Sequence, residues 1–170
     1  VRATDDVDLV VNTIGTIGFH KLQKTLRSKG FKDPGITGDD PPPICAMLLG
    51  GLQVDFMPDD ENVLGFGNRW YKSAMETSTY HDLTPEIRIK LVTPVFFVAT
   101  KLEAFNGRGN GDALSSRDIE DIVNLVDGRA ELVDEIIAAE KDVKEYIASE
   151  IIKLLSNPDF ESAVSSQAKG

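Results

Sequence analysis

The sequence predicts an α+β fold: a small mixed β-sheet with helices over residues 1–93, followed by an all-helical half over residues 94–170. Two observations carry this. Strand-length apolar segments recur through the first half, separated by Gly- and Pro-rich turns. From Pro94 onward the apolar residues return every three or four positions, the helical period.

The elements follow in order. Asp6–Val11 reads as a strand, with a turn over Thr13–Gly18 and a helix from Phe19 to about Lys29, where Phe19, Leu22 and Leu26 share a face and Gly30 stops it. Residues 33–43, with Pro34-Gly35 and three consecutive prolines, form a loop. Ile44–Leu49 and Leu52–Met57 flank Gly50-Gly51, a two-residue hairpin signal. Alternation along the second of these strands places Leu52, Val54 and Phe56 on one face and Gln53, Asp55 and Met57 on the other. A short helix over Arg69–Glu76 and a strand over Ile87–Val92 complete this half. Pro94 suits a first helical position and opens a helix through Phe105, with Arg108–Asp112 as a Gly-rich loop. Ser115 or Ser116 caps a helix over Arg117–Val126 that ends at Gly128. Glu131–Leu155 holds one or two amphipathic helices, and a last short helix follows Asn157-Pro158.

Composition narrows the function classes. Apolar residues make up 41% and charged residues 27%, so an ordinary core is expected. The single cysteine, Cys45, excludes an internal disulfide framework and fits a reducing, cytoplasmic setting. No apolar run approaches a membrane span, and no signal-peptide pattern opens the chain. The start at Val1, directly on a charged strand, reads as a beginning that has been cut away. Net charge is −10, divided as −3 over residues 1–93 (10 basic, 13 acidic) and −7 over 94–170 (8 basic, 15 acidic). That balance opposes tight non-specific nucleic-acid binding, though it leaves room for a local basic patch.

Several charged residues stand out. Asp6 and Asp8 point to one face of the first strand and Asp5 to the other. Close carboxylates repel unless a cation sits between them, and a hard divalent ion with oxygen ligands suits them. Asp55, on a neighbouring strand, would be a third carboxylate for one or two Mg²⁺ (or Mn²⁺) ions, and could take a proton from an attacking hydroxyl. The plainer alternative is an acidic solvent face. On the Pro94 helix, Phe97, Lys101 and Phe105 form one stripe, to which Arg108 returns. A lysine between phenylalanines needs an anionic partner or a bound anion. Asp118 projects into the apolar arc of Ile122, Leu125 and Val126, with Asp121 at its edge, so Lys101–Asp118 reads as a pair. A purely structural salt bridge between helices is the alternative. His20, in a helix, and His81, in a loop, lack metal-ligand spacing; Cys45 and Trp70 suit the core. The Gly-x-Gly sequences at Gly65–Gly67 and Gly107–Gly109 read as loops.

Three segments together resemble a known family. RATDDVDLVV resembles the R-x-T-x-D-h-D strand of the nucleotidyltransferase superfamily, and LQVDFMP resembles the strand bearing its third carboxylate. The segment FFVATKLEAFNGRGNGDALSSRDIEDIVNLV is similar to the helical half of the minimal, AbiEii-type toxin nucleotidyltransferases. The resemblance spans about residues 2–127 and implies a palm-like sheet that transfers a nucleotide from an NTP (ATP or GTP) to an acceptor hydroxyl, with Mg²⁺ as cofactor. It implies Asp6, Asp8 and Asp55 as metal ligands, and Asp55, Lys101 and Asp118 as catalytic residues. Thr4, Lys101, Arg108 and Asp121 would bind nucleotide, Lys101 meeting the triphosphate. The implied partners are an RNA or protein acceptor and, in a toxin–antitoxin pair, an antitoxin protein. The family's Gly-Ser or Gly-Gly segment precedes the strand, ahead of Val1. A catalytically silent nucleotide-binding or protein-interaction module of the same fold is the alternative.

Overall fold

The computed structural model describes residues 6–35, 42–108 and 111–167. Thr4, Asp5 and Gly109 lie outside them. The chain divides into two compact units at Tyr71/Lys72. The sequence boundary at 93/94 marks something else, the point where strands stop.

In the first unit, β1 (Asp6–Val11) pairs in parallel with β3 (Leu52–Pro58), which pairs antiparallel with β2 (Ala46–Leu49) on its other side. Parallel neighbours need a crossover, and α1 (Gly15–Ser28) lies in the connection between them. The β2–β3 hairpin closes through Gly50-Gly51, with Leu49 opposite Leu52 and Gly50 at φ +64°, a left-handed conformation that glycine adopts without a Cβ clash. One sheet face is apolar: Val54 and Phe56 of β3 and Met47 of β2 bury against Phe19 and Leu26 of α1 and Val63 of a short 3₁₀ turn over Glu61–Val63. Phe31 meets the Phe56 ring edge-on at 5.6 Å. Beyond β2, Lys32 forms an isolated bridge to Leu48, each backbone N–H donating to the other's carbonyl at 2.8 Å.

α1 begins at Gly15, earlier than the expected start at Phe19. Gly15 and Gly18 read locally as a turn. Gly15 keeps a turn conformation (φ +62°), and packing of the Phe19–Leu26 face on the sheet carries the helix back through Gly18, since tertiary burial outweighs local propensity. Its stop at Gly30 (φ +98°) is where the sequence puts it.

The second unit opens with α2 (Tyr71–Thr77), whose first residue belongs to the preceding unit, and a hairpin of β4 (Thr79–Asp82) and β5 (Arg88–Leu91). His81, expected in a loop, lies in β4, because Thr79-Tyr80-His81-Asp82 has no apolar alternation to mark a strand. Helices follow: α3 (Pro94–Arg108), α4 (Arg117–Gly128), α5 (Leu132–Ala138), α6 (Lys141–Leu155) and α7 (Pro158–Gln167). α3 is central, packing on α4, α5 and α6, while α7 packs on α4 and α6. Val98, Ala99 and Leu102 of α3, Ile119 and Ile122 of α4, and Val143 and Ile147 of α6 are almost fully buried. α3 runs on to Arg108, so Gly107 and Arg108 are helical rather than in a loop. Ser116 caps α4, its Oγ accepting from the Ile119 N–H at 3.4 Å. Among the described residues no helix is long and apolar enough to cross a membrane.

Candidate functional site

The acidic strand residues lie on the sheet face opposite the core. Register across β1 and β3 sets Asp8 beside Asp55 and Asp6 beside Gln53. Residues at one register position of neighbouring strands project to the same side, about 4.8 Å apart at the backbone. Alternation then leaves Val54 and Phe56 for the core and turns Asp55 away from it. Asp6 and Asp8 are exposed and Asp55 is half-buried. Gln53, which the sequence reading left without a role, donates from Nε2 to Asp55 Oδ1 at 3.0 Å and helps set that carboxylate's orientation. Asp6 lies two residues, roughly 6.6 Å, before Asp8 on the strand.

No group of three or more His, Cys, Asp or Glu side chains gathered closely enough to hold a metal ion is present among the described residues. The donor chemistry still fits Mg²⁺, which is commonly held by one or two carboxylates and takes its other ligands from water and substrate phosphates. Asp8 and Asp55 are the residues that would hold it, with Asp6 adjacent.

In the helical unit, the charged residues on α3 and α4 form one cluster. Asp118 is 4% exposed, and Arg108 embraces it with two hydrogen bonds, Nε to Oδ2 at 3.1 Å and Nη2 to Oδ1 at 3.0 Å. The Lys101 ammonium is nearest to Asp121, at 2.7 Å, with Asp118 at 3.5 Å and the Phe97 ring centroid at 5.6 Å. The helical projection thus identifies the buried aspartate. The partners are redistributed, however: Asp121 is the closer contact for Lys101, and Arg108 forks onto Asp118. The cause is the extra turn of α3, which brings Arg108 over α4. Both cations predicted to meet a triphosphate already hold carboxylates.

A second polar cluster on α3 and α6 has no counterpart in the sequence reading. Tyr146 Oη donates to Glu103 Oε2 at 2.6 Å, Asn106 Nδ2 donates to Glu150 Oε2 at 2.9 Å, and Lys153 Nζ meets Glu150 Oε1 at 2.6 Å. Burial, then the bond to Glu103, holds the Tyr146 phenol well above its usual value. Burial pushes Glu150 up, but Lys153 and Asn106 outweigh it and leave the carboxyl below the usual range. The available signal was the α6 pattern itself, which places Glu150 in line with the core residues Val143, Ile147 and Leu154. His20 is exposed on α1, and Cys45 and Trp70 are buried.

No protein-family model matches the chain, and no curated protein matches it.

Proposed function

We propose that this protein is a Mg²⁺-dependent nucleotidyltransferase that moves a nucleotide from an NTP to an acceptor hydroxyl, with RNA the acceptor implied by the resemblance to toxin nucleotidyltransferases. The observation that carries the reading is the Asp8–Asp55 register on the polar sheet face. Two carboxylates at one level, from strands far apart in sequence, match the three-segment resemblance at the positions where it calls for acid. Asp8 and Asp55 would hold the ion, with Asp6 beside them, and the bound ion would supply the positive charge that offsets the phosphates. Asp55 accepts the proton of the attacking hydroxyl as the new bond to the α-phosphorus forms and the bond to the bridging oxygen breaks, releasing pyrophosphate.

The test is transfer of label from α-labelled NTP into RNA or protein, with Mg²⁺ or Mn²⁺. Asp8→Asn is expected to lower it on the order of a hundredfold or more, with the far-UV spectrum unchanged. Undiminished transfer by a folded Asp8→Asn variant removes the proposal.

The ion pairs of Lys101 and Arg108 favour a second reading, a silent nucleotide-binding or antitoxin-engaging module in which the cluster is structural. MgATP or MgGTP raising the melting temperature without turnover on any acceptor would select nucleotide binding. Stabilisation by a protein partner alone would select the interaction module.

A further inference from the structure

The β4–β5 hairpin has two exposed faces. Every residue of β4 is exposed, and in β5 only Ile89 is half-buried. Antiparallel register sets Tyr80 opposite Lys90 and Asp82 opposite Arg88. Alternation therefore puts Tyr80, Asp82, Arg88 and Lys90 on one face. There Tyr80 is 70% exposed, with the Lys90 ammonium 5.6 Å and the Arg88 guanidinium 5.9 Å from its ring centroid. Arg88 is steadied by Asp82, Nη2 to Oδ2 at 3.1 Å, whereas no ion pair to Lys90 is found among the described residues. The surrounding segment also departs from the chain's charge. Residues 69–93 carry four Lys/Arg against three Asp/Glu, and the rest of the chain carries 14 against 25.

We infer that this hairpin face is a docking platform for single-stranded RNA. An exposed aromatic ring with two cations close to it matches a nucleotide in both of its parts. The base stacks on the ring, and the phosphates on either side meet Lys90 and Arg88. Duplexes hide their base faces and suit the platform poorly, and the unpaired strands a protein ordinarily meets are RNA. An acidic peptide would use the cations but leave the ring idle, and a basic one would be repelled by Lys90. A two-stranded ribbon is at best marginally stable alone in water, so one whose faces are both exposed is suited to gain order from a ligand. The inference goes beyond the transferase reading and needs neither the sheet carboxylates nor a metal.

The experiment is fluorescence anisotropy of a labelled RNA of about 12 nucleotides with the full chain, in EDTA and without NTP. Loss of transferase activity and loss of RNA binding are then read independently. Binding that weakens as salt rises is expected. Tyr80→Ala should lower affinity about tenfold while Tyr80→Phe retains it. Lys90→Ala should flatten the log–log salt dependence by about 0.7. Tyr80 is exposed, so folding of its variants is checked by melting, and Lys90→Glu offers a second variant expected to bind more weakly than Lys90→Ala. The inference is overturned by absence of binding at low salt, by equal affinities for wild type and Tyr80→Ala, or by tighter binding of duplex or of DNA of the same sequence. It is equally overturned if Tyr80→Ala disrupts self-association in sedimentation and leaves RNA binding intact.

Discussion

The two compact units use acidic side chains in opposite ways. On the sheet, Asp8 and Asp55 stand at one register position on a face turned from the core. Among the helices, Asp118 is driven into the interior and met by a fork of hydrogen bonds from Arg108, with Lys101 bound to its neighbour Asp121. The helical arrangement is explained by stability, because a buried carboxylate left unmatched is costly and a matched one is tolerated. On the sheet the carboxylates stay at the surface, where Gln53 orients Asp55 and a ligand can reach both.

The contrast can be broken most sharply at Asp118. Asp118→Asn should destabilise the protein by about 2 kcal/mol in urea unfolding, discounted because Arg108 is itself largely exposed and can turn to water. A change below about 0.5 kcal/mol would mean that the cluster holds nothing together. Next comes Glu150→Gln, which should cost about 1 kcal/mol near neutral pH through weakening of the Lys153 and Asn106 contacts. The folded carboxyl lies below its unfolded value, so the stability it contributes is present above about pH 4.3 and disappears as pH falls through the folded value. Melting profiles of wild type and variant should therefore converge in acid. Tyr146 behaves in the opposite sense. Its phenol is raised on folding, so its contribution is intact below about pH 10 and fades as pH climbs through the folded value. Tyr146→Phe should flatten that alkaline limb. The smallest effect is expected on the sheet: added Mg²⁺ should raise the melting temperature of the wild type more than that of Asp8→Asn. Stabilisation by Asp118→Asn, with no Mg²⁺ effect that depends on Asp8, would invert the comparison altogether.

How much of this was legible depended on how local each feature is. The bounds of β1, the β2–β3 hairpin through Gly50-Gly51 and the cap at Ser116 follow from neighbouring residues and match the structure. Asp118 was found because a helix projects regularly, and an aspartate in an apolar arc is visible without coordinates. The level pairing of Asp8 with Asp55 was not fixed by pattern, because register between strands so distant in sequence depends on how α1 packs between them in the chain. The start of α1 was hidden by Gly18, and the end of α3 by Gly107, each a helix-weakening residue overridden by burial elsewhere along the helix. β4 carries no apolar alternation, since its partner strand rather than a core holds it extended. The contact between Lys101 and Asp121 depends on a flexible side chain's reach, which periodicity does not encode.

The bridge between Lys32 and Leu48 has a consequence for solubility. By occupying the rim of β2 with a single charged residue, it leaves an arriving foreign strand two hydrogen bonds to displace and a lysine to desolvate. Exchanging Lys32 for proline would strip away one of those bonds and the ammonium together, and turbidity on prolonged warming would register the lost protection.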